Sequence, residues 1–435
     1  MKRIILAILI IVISFPALAQ YSVSGGNGVP YETESSSNVL TIYLLNGLSN
    51  AQISYTGDGT HEWHKYDTAA SSAIDITCTQ SGNTSFITNI EDGCGYFVGN
   101  TLSSATRYVW IIDYSKYLPA FYSLSIEEEE DLCDWIKLVG DTEAPTLEYY
   151  TELGNLRTLD RVYHVIYDNF VWDEDDLTFY NETIDEKVYS PNEFLVEAPL
   201  KDTKFTLIGD EFAQHFGLEK RIESQEYEAV AVEVYATTET EREYGENELK
   251  VGTGTALGGS APVEITFTAY ANEPVAASYT WRVIKMGDSS ADSTTVARFQ
   301  DRSFTYTFNE EGTFRVALEV IGKNSICIDN SIQYSVFIGE THLDVPNFFS
   351  PGSSLGVNDE FRVSYRSILN FHCKIYNRQG NLLYEWTNPA EGWDGKVKGW
   401  YVATGVYFYT IDYTTSTGKK KTKSGSINIL REKDR

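Results

Sequence analysis

A chain of 435 residues with 62 acidic and 34 basic side chains carries a formal charge of −28, which sets nucleic-acid backbones and anionic lipid aside as main partners. Thirty tyrosines, two methionines and few long amphipathic helical repeats favour pleated, half-buried surfaces over helix packing. At roughly 100–150 residues per domain, the length predicts three to four modules.

The first residues read as an export signal. Lys2 and Arg3 form a basic start, Ile4 to Phe15 an apolar run, and Ala17-Leu18-Ala19 a small-residue cleavage site, so residues 1–19 are expected to be removed and Gln20 to come first. The run is too short to span a bilayer comfortably and no second one follows, so the mature chain is expected to have no membrane-spanning segment. A lipid anchor at this end would need a cysteine at the new terminus, where Gln20 stands.

From 20 to 140 the pattern is short alternating runs between turn residues: "VLTIYLL", "AQISY", "AIDITCT", "SFITNI" and "RYVWIIDY". Strands at about 8–12-residue spacing with Gly, Asn, Asp and Ser between them predict an immunoglobulin-like β-sandwich. "GDTEAP" at 140–145 marks the expected boundary, because Gly and Pro interrupt pairing. A second sandwich is expected over 141–251, from "TLEYYTEL", "RVYHVIY", "LTFY", "KFTLI" and "EAVAVEVYATT", with one helical turn at 211–217. "GTGTALGGSAP" at 252–262 reads as a flexible linker.

Five cysteines suit an oxidising compartment without forming a disulfide scaffold. Cys78 with Cys94 is the preferred bridge, since two strands joined by a turn juxtapose them; Cys133 stays open as a partner, and Cys327 and Cys373 lie in separate later segments.

Residues 263–340 give a third sandwich. Within "TYTFNEEGTFRVALEV", Glu311-Gly312 supplies a turn, and Phe314, Val316, Leu318 and Val320 share one strand face. This stretch resembles the strand-turn-strand core of PKD-type immunoglobulin-like domains, with Tyr279 and Trp281 where that family has an inward tryptophan.

Residues 343–435 carry five pieces in order: "PNFFSP" with "GVNDEF", "KIYNRQGNLLYE", "GWDGK", "ATGVYFYTIDY" and "KKKTKSGSINIL" followed by Arg431. Pro351 and Gly356 permit sharp turns, Asn358 and Asp359 can bond their own backbone, and Gly380 with Asn381 makes a hairpin turn. These pieces resemble the gliding-motility-associated C-terminal domain of Bacteroidetes, the type B sorting domain of the type IX secretion system. The matching positions are Asn347, Phe348, Pro351, Gly356, Asn358, Asp359, Tyr376, Asn377, Arg378, Gly380, Trp393, Asp394, Gly395, Gly405, Tyr407, Leu430 and Arg431. The resemblance implies a compact β-sandwich read as a secretion address by the outer-membrane apparatus. Lys419, Lys420, Lys421 and Lys423 form a basic hairpin that guards a sheet edge or contacts an acidic part of that apparatus.

Catalytic patterns are scarce. No Gly-rich phosphate loop or C-x-x-C occurs. His61 and His64 in "HEWH" lie three apart, so on a strand they face opposite sides, and no third metal ligand is evident. "WDEDD" at 172–176 has Leu177 where a calcium loop needs an oxygen, which favours a solvated turn. Tyr149, Tyr150, Trp63 and Trp110 are candidates for a sugar- or protein-binding face, against the more usual core role of strand aromatics. Thr68 and Ser293, in Asp67-Thr68-Ala69 and Asp292-Ser293-Thr294, match the O-glycosylation pattern of Bacteroidetes.

The sequence therefore predicts an all-β, exported, non-enzymatic protein of tandem immunoglobulin-like sandwiches, without cofactor or metal, binding an unidentified protein or glycan at the cell surface or in the medium. The alternatives are an uncleaved structural accessory of the outer membrane or of the secretion and gliding machinery, and a carbohydrate-active enzyme.

Overall fold

The computed structural model describes residues 21–35, 38–99, 107–127, 132–241, 245–251, 257–287, 292–353, 356 and 358–431. The expected export signal and residues 252–256 of the expected linker lie outside them. The described chain is almost all strand, folded as tandem immunoglobulin-like β-sandwiches, with one short α-helix, Glu211–Phe216. No helix among the described residues is long and apolar enough to cross a membrane. The chain divides into two compact units. One holds the described residues up to Asn169 together with Asn181–Glu228; the other holds Phe170–Tyr180 together with the chain from Ala229 onward.

In the first unit, Leu40–Leu45 and Tyr108–Asp113 lie parallel and adjacent at the middle of a six-stranded sheet, with Ile42 opposite Trp110. Both strands are buried on both faces, which explains their unbroken apolar runs. One face (Tyr43, Leu45, Val109, Ile111) packs with the facing four-stranded sheet around Trp63, Tyr55 and Ile53. The other (Leu40, Ile42, Trp110, Ile112) packs with Leu147, Tyr149 and Phe212 of the following module.

That following module begins earlier than the Gly and Pro signals suggest. Trp135–Glu143 is one continuous strand, paired with Ala120–Glu127 on one side and Glu193–Glu197 on the other. Gly140, read from the sequence as an interruption, lies inside it. A Cβ at this position would sit 2.2 Å from the Pro191 carbonyl oxygen, so the glycine permits a close backbone approach.

A buried polar knot joins the two modules of this unit. Asp210, fully buried, caps the helix by accepting from the Ala213 amide at 2.8 Å. It also accepts from the Tyr114 hydroxyl at 2.5 Å and pairs with Arg161. Arg161 donates further to the carbonyls of Tyr117 and Pro145, both at 2.6 Å. Burial and the neighbouring Asp210 charge push the Tyr114 hydroxyl far above its ordinary pKa, so it stays a donor.

In the second unit, Val234–Glu239, Val263–Ala271 and Ser303–Phe308 form a three-stranded sheet facing a larger one built on Ala276–Lys285 and Gly312–Gly322. Trp281 is fully buried against Phe267 and Phe304. Phe314, Val316, Leu318 and Val320 all face the core, and Gly312 takes φ +129° at the turn. Two limits drawn from the sequence move. Leu257–Gly259, inside the expected linker, is a strand parallel to Gln333–Ile338. Glu248, expected in the second module, bridges Tyr365.

Candidate functional site

The C-terminal module is a five-stranded sheet in the order Phe348–Phe349, Lys420–Ile429, Gly405–Thr415, Ile368–Tyr376, Leu382–Trp386, closed over Phe349, Phe361, Trp393, Ile375, Ile411 and Ile427. The short strand Phe348–Phe349 runs parallel to the end of Lys420–Ile429, placing Phe348 beside Asn428, and the Leu430 amide donates to Phe349 at 3.0 Å.

Most of the motif residues serve to make turns. The Asp359 carboxylate accepts from the amides of Gly356 at 2.6 Å and Gly352 at 3.3 Å, while Asn358, at φ +53°, offers its carbonyl to Ser350 at 2.8 Å. The Asn377 side chain accepts from the amides of Gln379 and Asn381 at 3.0 and 2.9 Å, closing the hairpin in which Gly380 takes φ +83° and Arg378 is exposed. Buried Trp393 donates its indole N–H to the Lys396 carbonyl at 2.9 Å, and Asp394 holds the Lys396 amide and ammonium, each at 3.0 Å. Gly395, at φ +77°, lies against buried Pro351, where a Cβ would meet the proline ring at 2.9 Å. The Tyr407 hydroxyl donates to the Ala403 carbonyl at 2.8 Å, across the bend containing Gly405. Arg431 lies 5.2 Å from the centre of the Tyr401 ring, and Asn347 accepts from the Asn428 amide at 2.9 Å.

Register gives the outer sheet face a second property. Tyr376 sits between Leu382 and Phe408, and the next row carries Val406, Asn428 and Phe348. Leu382, Phe408, Val406 and Phe348 remain 44–49 % exposed, with Leu430 beyond them at 55 %. The basic residues sit where Lys420–Ile429 has a neighbour on one side only, its other side being paired just at its end. Lysines on such an edge oppose strand-to-strand association. Lys423 also donates to the Leu343 carbonyl at 3.0 Å.

The module is seated on the preceding sandwich through a buried polar seam. Fully buried Ser367 takes φ +52°; its amide donates to the Ser260 hydroxyl at 2.6 Å and its hydroxyl to the Gly339 carbonyl at 2.5 Å. Its hydroxyl accepts from the Ala261 amide at 3.0 Å. Thr341 donates to the Ser367 carbonyl, and Ser416 donates to the Glu311 carboxylate at 2.5 Å. Asn247 donates to the carbonyls of Val363 and Pro389 at 2.7 and 2.8 Å.

The other candidates divide. His61 is buried, with Nδ1 2.8 Å from the Ser85 hydroxyl and Nε2 3.0 Å from the Gly57 carbonyl, and Trp63 donates to the same Ser85 hydroxyl at 2.8 Å. His64 instead pairs with Asp75 at 2.9 Å and stacks on Phe97. The two imidazoles do not converge. The expected Cys78–Cys94 bridge is not formed: both are free, as is Cys373, whereas Cys133 and Cys327 are disulfide-bonded. Cys94 faces the sandwich core, and the Cys78 sulfur instead lies 3.7 Å from the His61 carbonyl. Trp63, Trp110 and Tyr149 are core residues at 4 % exposure or less, and Tyr150 packs beside Trp110, so this set forms no binding face. Thr68 and Ser293 are both exposed.

An aromatic cavity that none of these readings anticipated lies in the second unit, around the acidic turn. Asp173 accepts from the amides of Asp175 and Asp176 at 2.8 and 3.0 Å, and Leu177 takes φ +51°. This turn brings Trp172 and Phe179 together, their ring centres 5.2 Å apart. Trp172 stacks on Tyr235 at 4.5 Å and 5°, and meets Tyr270 at 5.4 Å. Burial, reinforced by a hydrogen bond to Glu233, pushes the Tyr235 hydroxyl up to about 12. The cavity beside this cluster measures about 370 Å³ and is lined by Phe170, Trp172, Phe179, Tyr270, Thr178 and Thr268, with the Glu273–Arg302 ion pair at one end.

Two stretches match known families. Residues 343–429 match the CHU_C type IX secretion signal domain, and residues 125–224 match the fibronectin type III domain. No curated protein sequence matches the chain. Among solved structures, the chain is similar to the FN1–FN3 domains of chicken CNTN1, at 13 % identity, covering 72 % of this chain and 99 % of that one with a TM-score of 0.18. It is also similar to three N-terminal domains of the bacteriophage RB49 outer capsid protein Hoc (11 % identity, 72 % and 100 % covered, TM-score 0.22). Dimeric latent PorU from Porphyromonas gingivalis follows at 11 % identity, 76 % and 36 % covered, with a TM-score of 0.17.

Proposed function

We propose that this protein is a non-enzymatic binding or adhesion protein, exported past the outer membrane by its C-terminal module and displayed at the cell surface or released. The observation that carries the reading is the match of residues 343–429 to a type IX secretion signal domain, with the motif residues forming its turns. The partner at this step is the outer-membrane secretion apparatus, and the exposed row of Leu382, Phe408, Val406 and Phe348 offers it an apolar contact. A leader ending at Ala19 would deliver the chain to the periplasm first. The third module is read as PKD-like, on its inward Trp281 and the Glu311-Gly312 turn. Binding rather than chemistry is supported by the way the reactive side chains are used: His61 is held on both ring nitrogens, and burial pushes the Cys94 and Cys373 thiols up. Deleting residues 343–435 should hold the remainder in the periplasm. A truncated chain reaching the surface in normal amounts refutes the reading.

The polar seam favours a second reading, an uncleaved accessory of the outer membrane or of the secretion and gliding machinery. Removing the module would take Ser367 and Ser416 with it and strip the hydrogen bonds they make to Ser260, Gly339 and Glu311, leaving those groups of the preceding sandwich uncovered. Mass spectrometry of surface-localised protein separates the two: peptides from 343–431 are absent after release and present in a retained module.

A further inference from the structure

We infer that the cavity beside Trp172 is a binding site for a neutral oligosaccharide. The inference deepens the proposed binding function and rests on it for its biological setting.

The cavity, at about 370 Å³, falls within the roughly 300–1,000 Å³ usual for small-molecule sites. Its walls are aromatic and its end is polar. Ring faces carry negative quadrupole charge and attract the weakly positive, apolar C–H faces of a sugar ring. One face of the Trp172 indole is taken by Tyr235, so Phe179 and Tyr270 supply further aromatic wall.

The polar end selects against charge. Glu273 and Arg302 already pair with each other, and both remain more than half exposed. An anionic or cationic ligand would have to break that pair, and an anion would also approach against the acidic whole. A hydroxyl group can accept from Arg302 and donate to Glu273 while the pair persists. Neighbouring hydroxyls of a pyranose supply such groups at fixed spacing.

A peptide fits less well. The cavity floor is the strand Val263–Ala271, the middle strand of its sheet. Thr268 is paired to Thr237 on one side and Ser303 on the other, so no backbone edge is open for strand addition.

The test uses the full mature chain, titrated calorimetrically with the hexasaccharides of cellulose, laminarin, amylose, mannan and xylan, and with an acidic hexasaccharide and a random peptide pool. The expected result is saturable binding of at least one neutral hexasaccharide, weakened about tenfold by Tyr270→Ala and several-fold by Glu273→Gln. Both variants should keep the parent circular dichroism and melting temperature; Trp172→Ala is avoided because that ring also anchors the turn. No binding by any neutral hexasaccharide, equal binding by both variants, or preference for the acidic sugar or the peptides overturns the inference. Surface delivery of the parent chain is followed in parallel: normal delivery without sugar binding sinks only this inference, whereas failed delivery sinks the export reading.

Discussion

Removing one member of the Arg161–Asp210 pair should unfold the first unit at a markedly lower temperature. Asp210 is fully buried and accepts from Arg161, Tyr114 and the Ala213 amide. Arg161→Met leaves that carboxylate without its cation, a loss typically of about 3–5 kcal/mol for a buried pair. For a unit of this size each kcal/mol moves the midpoint by roughly 2–4 °C, so a fall of about 6–20 °C is expected. Differential scanning calorimetry of the full chain reads this as a shift of one transition while the other stays fixed. Asp210→Leu alone should be as damaging or worse, since it also removes the helix cap. The double variant Arg161→Met with Asp210→Leu should lose less than the sum of the singles, because neither charge is then left buried alone. A single-variant shift under about 2 °C, or strictly additive losses, would show that water reaches the pair and would refute this account of the knot.

Three further outcomes follow from particular side chains. Thiol titration in denaturant without reductant should count three free cysteines, Cys78, Cys94 and Cys373, with all five appearing after reduction; a count of one returns the Cys78–Cys94 bridge. The hydrogen bond from Lys187 at 2.7 Å holds the Glu211 carboxyl below its ordinary value of 4.5, with His164 assisting. A lowered folded value means stability that is present above pH 4.5 and lost as pH falls through the folded pKa. The stability gap between parent and Glu211→Gln should therefore be constant at neutral pH and close below pH 4.5; a gap that widens in acid contradicts this. Intact mass of protein from its native host should exceed the bare chain by glycan increments that vanish in Thr68→Ala with Ser293→Ala, and an unmodified mass removes that expectation.

Local pattern and long-range packing contributed unequally to what the sequence disclosed. Alternation named the face carrying Phe314, Val316, Leu318 and Val320, and turn chemistry named the Asn377–Gly380 hairpin, because each depends on residues a few positions apart. Gly140 misled because a glycine that interrupts a strand and one that permits close backbone approach look alike in one dimension. Trp63, Trp110 and Tyr149 were open to a surface reading because nothing local reveals that Trp63 faces the sandwich core or that the following module, Tyr149 included, packs on the Trp110 face. The disulfide expectation failed for a related reason: Cys78 and Cys94 are close along the chain, but pairing depends on where the side chains point.

The acidic turn shows how a plain local feature makes a site only through its surroundings. "WDEDD" reads as a solvated turn, and Asp173 does make one, bonding the two amides that follow. The turn fixes Trp172 and Phe179 as neighbours, and flanking aromatics in an acidic segment are unremarkable on a single hairpin. Tyr235 and Tyr270 join them from strands, and Arg302 from the bend before Ser303–Phe308, roughly 60 to 130 residues further along the chain, a spacing set by the sheet and not by any motif. The carboxylates stay at the tip, where they keep the hairpin soluble, while the rings alone turn toward the sheet. A substitution of Asp173 would thus act on the cavity through backbone geometry, loosening the turn that sets the Trp172–Phe179 spacing. Direct contact residues such as Tyr270 would alter affinity with the hairpin intact. The two kinds of change are separable by comparing sugar binding with hydrogen exchange at the amides of Asp175 and Asp176.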